Sequence, residues 1–173
     1  MVEMFRRLTS KNLKNISLDS EKSHIYLKDT DFSLVIMRPY DLVQLGDLVG
    51  SGSEDILIWT GKTIGKAICK NIKENRKIKS KKQLYQELLI NLTNMGYGRF
   101  EMSFIENKSF SVSVFNSIVQ EIESPQEAAL LSNFYNGIFL GSLNFAGEDI
   151  ELKSVETSMD KGKPCRFEYE IIK

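Results

Sequence analysis

The sequence predicts an α+β fold in which helices pack on one side of an antiparallel sheet. Three stretches show the apolar spacing of amphipathic helices, at residues 53–75, 80–95 and 125–146. Two pairs of stretches alternate apolar and polar residues, 100–105 with 110–114 and 150–156 with 165–171. Alternating strands joined by short turns pair antiparallel and bury one face. Because no repeat or low-complexity linker interrupts the chain, we expect one domain over residues 1–173.

Residues 1–49 are expected to form a hairpin-and-helix extension, although residues 1–23 show no clear pattern. Residues 24–28 and 32–37 are rich in strand formers, and the Asp-Thr-Asp segment at 29–31 predicts a turn between them. Pro39 then begins a short helix that Gly50 ends. Its expected apolar stripe consists of Leu42, Leu45 and Leu48.

The helix at 53–75 has a cap candidate in Ser51 or Ser53, and Glu54 and Asp55 suit its positive end. Its expected buried stripe is Leu57, Gly61, Ile64, Gly65, Ile68 and Ile72. A glycine inside a helix costs roughly 1 kcal/mol relative to alanine. We therefore expect another helix or a ligand to approach this face closely.

The other two long helices have stronger start signals. Ser80 with Gln83 has the spacing of a capping box, and Ser124-Pro125-Gln126-Glu127 combines a serine cap with proline at the first helical position. Gly96 and Gly147 are the expected ends. The helix at 125–146 is apolar around much of its circumference, which predicts burial, and it carries Gly137 and Gly141.

The C-terminal pair of strands raises a question about Glu156. Simple alternation places Glu156 on the same strand face as Ile150 and Leu152, and the turn at 160–164 brings it towards Cys165. A carboxylate on an apolar face is costly unless it is paired. Two interpretations are open: a strand-end glutamate bonded by the following loop, with Lys161 or Lys163 nearby, or a functional acid left from a metal site.

Composition excludes several classes of function. The chain has 23 basic and 23 acidic residues, so its zero net charge argues against a nucleic-acid partner, and the basic run at 70–82 is typical of a solvated helix end. Two cysteines are too few for a disulfide framework. No apolar run reaches the roughly 20 residues of a membrane span. The N-terminus lacks the features of a signal peptide, so we expect a cytoplasmic protein.

Motifs for catalysis are missing from the pattern. His24 is the single histidine, and no serine or cysteine motif surrounds it. Gly96-Tyr97-Gly98 follows a helix and precedes a strand, the reverse of the order in a dinucleotide fingerprint. Ser51-Gly52-Ser53 precedes a helix but lacks the lysine of a phosphate loop. We therefore expect neither a cofactor nor enzymatic activity.

Several spaced motifs resemble the 4-vinyl reductase family, also called hydrocarbon-binding domains, which shares its fold with TRAPP vesicle-tethering subunits. The matching residues are 61–65, 95–99, Asn116-Ser117, 137–141, and Glu156 followed by Gly162, Cys165 and Phe167. The resemblance covers about residues 50–172. It implies helices packed on an antiparallel sheet, an enclosed apolar pocket, and pairing as a homodimer. It also implies a small hydrophobic or aromatic ligand, since a similar domain in aromatic-sensing regulators binds phenol-like effectors.

The expected pocket lies between the hairpin at 98–115 and the helices at 53–75 and 125–146. Its candidate lining residues are Trp59, Phe100, Phe104, Phe115, Phe134, Tyr135 and Phe139. Ligand pockets are mainly apolar with few polar groups, which this set matches. Ordinary core packing is the alternative for each of these side chains.

Many relatives hold zinc with three cysteines and a glutamate near the C-terminal hairpin. By resemblance, Glu156 and Cys165 match two ligands, whereas Ser132 and Met159 stand where cysteines would be. Tetrahedral zinc needs four donors, so we expect no structural zinc here.

The leading hypothesis is non-catalytic binding of a small hydrophobic molecule by a sensor or carrier module. One alternative is an enzyme or accessory acting on a tetrapyrrole vinyl group, which rests on the family name alone because no site for a hydride cofactor is evident. A second alternative is a structural interaction module whose pocket is filled by its own side chains. The glycine pairs at 61/65 and 137/141 would then allow close helix contact within the fold or across a dimer.

Overall fold

The order of helices and strands largely agrees with the prediction from the sequence. The structure is a computed structural model, which describes residues 16–19, 24–27, 33–35, 37–106 and 109–172. The strands are β1 Ile16–Asp19, β2 His24–Leu27, β3 Ser33–Leu34, β4 Arg99–Glu106, β5 Ser109–Phe115, β6 Ile150–Glu156 and β7 Cys165–Ile171. The helices are α1 Pro39–Val49, α2 Ser53–Asn75, α3 Lys81–Asn94 and α4 Pro125–Phe145. Two short 3₁₀ turns lie at Gly50–Gly52 and Ile118–Glu121. None of the described helices is long and apolar enough to cross a membrane.

Side-chain caps begin α3 and α4 as expected. The hydroxyl of Ser80 accepts a hydrogen bond from the backbone N–H of Gln83 at 3.2 Å, and Ser124 does the same for Glu127 at 3.4 Å. The predicted serine cap of α2 is wrong, because its cap residue is Gly52 and no side chain bonds there. Instead, the acidic side chains of the first turn complement the positive end of α2.

The N-terminal hairpin is confirmed in β2 and β3, where Ile25 lies opposite Leu34. Strand β1 pairs with the other edge of β2 and makes a three-stranded antiparallel sheet that the sequence reasoning missed. The predicted turn at 29–31 lies outside the described residues. Helix α1 begins and ends as predicted, but the expected stripe is only partly right, since Leu45 and Leu48 are exposed and Val43 is buried.

The second sheet has the strand order β4-β5-β7-β6, with every neighbouring pair antiparallel. Its inner face carries the buried side chains of β5 and β7, which are Phe110, Val112, Val114, Cys165, Phe167 and Tyr169. Helix α4 covers this face, where the ring of Phe139 meets those of Phe167 and Tyr169. The outer face is polar, as the alternation on β5 and β7 predicts. The α+β fold with helices on one side of an antiparallel sheet is therefore confirmed.

A register shift in β6 overturns the predicted position of Glu156. Leu152 lies opposite Tyr169, but after the irregularity Val155 lies opposite Phe167 and Glu156 opposite Arg166. Directly opposed residues of antiparallel strands share a face. The extra residue thus turns Val155 towards the inner face and Glu156 towards the polar outer face. The prediction that Glu156 lies on an apolar face is therefore wrong, because it assumed that the alternation along β6 is unbroken.

Helices α2 and α4 run parallel and touch through their backbones at the two glycine pairs. A Cβ added to Gly61 would lie 2.8 Å from the amide nitrogen of Ile138 and closer still to the carbonyl oxygen of Phe134. One added to Gly141 would lie 2.6 Å from the Cα of Lys62. Only glycine leaves room for this approach. The expectation that a helix would approach the glycine face of α2 is confirmed, and the approaching helix is α4.

Candidate ligand-binding site

Four of the seven predicted pocket residues lie together between α4 and the sheet. Phe134, Tyr135 and Phe139 of α4 are at most 1 % exposed, and Phe100 of β4 is 8 % exposed. The ring of Phe100 lies 6.2 Å from that of Tyr135 and 6.1 Å from that of Phe139. These separations are within the favourable range for aromatic pairs. The four side chains therefore form the centre of one aromatic cluster.

Further rings complete this cluster on the sheet side. Phe167 lies 5.5 Å from Phe139 and 6.0 Å from Tyr135, and Tyr169 stacks on Phe110 at 5.1 Å. The sequence reasoning left these three residues out of the site, although alternation on β5 and β7 already placed them on the inner face. In this structure the rings contact one another and fill the space between α4 and the sheet.

Two buried hydroxyl groups are the polar members of the cluster. The Tyr135 hydroxyl accepts a hydrogen bond from the Ile118 N–H at 3.1 Å and donates one to the Tyr97 carbonyl oxygen. The Tyr169 hydroxyl donates to the side-chain oxygen of Asn136 at 3.1 Å. Burial raises the pKa of both tyrosines above the usual value. Both groups therefore remain protonated hydrogen-bond donors over the physiological pH range.

Of the other three predicted residues, Trp59 and Phe115 lie outside the cluster, and Phe104 lies at its exposed margin. Trp59 is 67 % exposed on α2, and Phe104 is 58 % exposed on β4, with its ring 6.2 Å from Phe110. Phe115 pairs with Arg99 across the sheet, and the guanidinium of Arg99 lies 4.2 Å above its ring. Phe115 follows Ser111 and Ser113 at intervals of two residues, and this shared spacing could have indicated that it lies on the polar outer face.

Cys165 and Ser132, two of the four residues that the resemblance places at the family's zinc site, each form hydrogen bonds. The Cys165 sulfur lies 3.4 Å from the Ser117 hydroxyl and 3.4 Å from the backbone nitrogen and oxygen of Ser158. Ser132 donates to the Ala128 carbonyl at 3.0 Å and lies 2.9 Å from the Thr157 hydroxyl.

Glu156 faces away from Cys165, and Met159 packs against the core. Within the described ranges, no three histidine, cysteine or acidic side chains gather as metal ligands would. The residues of this region do not present the four donors of a tetrahedral zinc site.

The second cysteine, Cys69, lies fully buried in α2. Burial raises the pKa of its thiol to about 11, against a weaker opposing effect of a hydrogen bond with Ser142. A thiol in this environment stays protonated and is a poor nucleophile at neutral pH.

Two grooves open on the surface of the α2–α4 pair. The first encloses about 490 Å³ beside the start of α4, and its lining residues are Glu54, Gln126, Glu127, Ala129, Leu130, Ser132, Asn133, Val155 and Thr157. The second encloses about 600 Å³, and its lining residues are Trp59, Lys62, Thr63, Lys66, Gly141, Asn144 and Phe145. The exposed Trp59 thus contributes to a surface groove and not to the buried cluster.

Comparison with solved structures identifies proteins of similar fold. The phenol-responsive sensory domain of the transcription activator PoxR, in a structure with phenol, superposes with a TM-score of 0.67 at 13% identity, covering 96% of this chain and 90% of that one. Subunit 3 of a trafficking protein particle complex from Naegleria fowleri, covalently bound to palmitic acid, gives 0.56 at 12% identity, covering 79% and 95%. An H-NOX protein of T. tengcongensis, as the I5F mutant, gives 0.53 at 15% identity, covering 98% and 91%.

No family model matches the sequence, and no curated protein does. At these levels of identity, the structural likenesses establish a shared fold. They agree with the architecture predicted from the sequence, an antiparallel sheet with helices packed on it.

Proposed function

We propose that this chain binds a small apolar or aromatic molecule without transforming it, as a sensor or carrier module of the 4-vinyl reductase type. The observation that supports this most is the cluster of buried rings between α4 and the sheet, centred on Phe100, Tyr135 and Phe139. It occurs in a fold that a phenol-responsive domain shares. Aromatic walls with few polar groups are typical of sites for such ligands.

The cluster also indicates a route of entry. Phe100 lies on β4, which is an edge strand, and its ring is the most exposed of the four predicted residues in the cluster. An edge strand is held by hydrogen bonds on one side only, so it can move with less loss of pairing than a central strand. A ligand would displace the ring of Phe100 and lie against the rings of Phe139 and Tyr135.

The first experiment is to purify the protein without added ligand, extract it with organic solvent, and identify the extract by mass spectrometry. Intact-mass measurement would detect a covalently attached acyl group, a form suggested by the neighbour with covalently bound palmitic acid. Thermal shifts should then be measured with phenol, with palmitic acid and with a tetrapyrrole. An empty extract together with no stabilisation by any of these compounds would contradict the proposal.

Matched variants locate the site. Phe100→Trp adds volume at the proposed entrance and should abolish the thermal shift, whereas Tyr40→Ala removes an exposed ring that lies in neither the cluster nor the surface grooves and should leave the shift unchanged. If Trp59→Ala abolishes the shift and Phe100→Trp does not, the ligand does not bind in the interior.

A second candidate function, an interaction module with a self-filled core, is favoured by a specific observation. The rings of the cluster pack directly against one another, with centroids 5.1 to 6.2 Å apart. Such a module would work through its surface, and a homodimer remains part of this proposal. Sedimentation at twice the 19.8 kDa chain mass, with no ligand recovered, would support it. A monomer that releases a ligand on extraction would refute it.

A further inference from the structure

The groove of about 600 Å³ between α2 and α4 has an unusual charge distribution. Lys62 and Lys66 line it four residues apart on one face of α2, and neither forms an ion pair with any residue that the structure describes. No carboxylate is among its lining residues. Like charges at this helical spacing repel each other weakly. An anion placed between the two ammonium groups would remove that repulsion.

The same groove has aromatic walls. Trp59 is 67 % exposed there, although tryptophan is usually well buried. Phe145 forms part of the opposite side, and the ammonium group of Lys73 lies 4.7 Å from its ring centre as a third nearby cation. Gly141 also lines the groove, at the point where α4 meets the backbone of Lys62. An apolar body could therefore rest between two rings next to the lysine pair.

We propose that this groove binds a small amphipathic carboxylate, an aromatic or short acyl acid. Its ring or chain lies between Trp59 and Phe145, and its carboxylate lies between Lys62 and Lys66. The volume is within the usual range for small-molecule sites, about 300 to 1,000 Å³. The groove shares none of the four predicted residues in the buried cluster, so this site is separate from the proposed interior one.

The chain carries a single tryptophan, so its fluorescence reports binding at this groove directly. We would titrate the wild type with phenylbutyrate and with the neutral alcohol phenylbutanol, following tryptophan fluorescence and heat in a calorimeter. The carboxylate should bind saturably and about tenfold more tightly than the alcohol, because charge-assisted hydrogen bonds are the stronger ones. Raising the salt concentration should weaken carboxylate binding.

Variants separate the local lysines from the overall charge. Lys62→Ala with Lys66→Ala should weaken phenylbutyrate binding by about tenfold. Lys79→Ala with Lys82→Ala removes the same charge from exposed positions outside the groove and should change the affinity by less than about twofold. Trp59→Ala, measured by calorimetry, should weaken binding of the acid and the alcohol alike. Because all five positions are exposed, the fold should be retained, which circular dichroism would verify.

Several results would overturn the proposal. These are equal affinity for the acid and the alcohol, equal losses in the two lysine double variants, or no saturable change in fluorescence. Sedimentation with phosphatidylglycerol vesicles without binding of phenylbutyrate would also overturn it and would identify the face as a membrane-contact surface. Phe100→Trp, measured by calorimetry because it introduces a second tryptophan, distinguishes the two sites, since it should abolish interior binding and leave phenylbutyrate binding intact.

Discussion

The contact between α2 and α4 can be tested by adding one methyl group. In Gly61→Ala, the new carbon would lie 2.8 Å from the Ile138 nitrogen, 2.9 Å from the Gly137 Cα, and nearer still to the Phe134 carbonyl oxygen. Ordinary carbon contacts are about 3.5 to 4.0 Å. Since all three neighbours are backbone atoms, no side chain can rotate away, and the helices must separate.

We expect this separation to cost about 3 kcal/mol, the upper part of the usual range for overpacking. Alanine gains about 1 kcal/mol of helix propensity over glycine. The net loss of unfolding free energy is therefore about 2 kcal/mol, which corresponds to a fall in Tm of roughly 4 to 8 °C in a chain of this size. Urea denaturation and calorimetry would measure it, and Gly137→Ala should behave similarly because its added carbon would meet Ile58 and Gly61.

Gly52→Ala is the matched control. Its φ is −100°, and an added Cβ would meet only a Val49 methyl carbon at an ordinary 3.4 Å. We expect a change below about 1 kcal/mol, the scale of an N-cap substitution. If Gly61→Ala is as stable as Gly52→Ala, or more stable than the wild type, then α2 and α4 are not in backbone contact.

Three further predictions concern the core and the C-terminal hairpin. Tyr135→Phe leaves the Ile118 N–H and the Tyr97 carbonyl without their partner, and it should cost about 1 to 3 kcal/mol in urea denaturation; a neutral result would contradict these bonds. Folding raises the pKa of Cys69 from 9.0 to about 11, so the folded state holds the proton more tightly. Its stabilising contribution is complete below pH 9 and is lost as the pH rises to 11, and Cys69→Ala should flatten this decline in the urea midpoint. Glu156 lies on the outer face, so Glu156→Ala should change stability by less than about 0.5 kcal/mol, and elemental analysis should find no stoichiometric zinc; one equivalent of zinc lost in this variant would refute both statements.

Much of the fold could be predicted because its local signals are strong. Ser80, Ser124 and Pro125 begin their helices where capping chemistry requires, and the glycine pairs indicated a close helix contact before its partner was known. The alternation on β5 and β7 gave the two faces of the sheet correctly. These features depend on neighbours a few residues away, which a single sequence contains.

The wrong predictions concern features that depend on contacts between residues far apart in the sequence. The register shift in β6 leaves no mark in the sequence of the strand, because an extra residue only reverses the alternation after it. The first strand pairs with β2 without a distinctive pattern of its own. Trp59 and Phe104 were assigned to the pocket because aromatic residues are usually buried, whereas their exposure depends on which surfaces α4 covers. Sequence reasoning therefore found the cluster in the interior but not the groove on the surface.

The backbone contact at the glycine pairs also limits how α2 and α4 can move relative to each other. Helices separated by side chains can slide as those side chains change rotamer, but at this crossing no side chain lies between the two backbones. Helices α2 and α4 would then move as one rigid body. On one side of this helix pair, Phe139 contacts the aromatic cluster. On the other side, Lys62 and Trp59 line the outer groove. Because both walls of the groove belong to this pair, a ligand that displaces Phe100 and presses on Phe139 would move the groove as a whole and leave its shape unchanged. Ligand affinities at the interior site and at the groove should therefore be independent of each other.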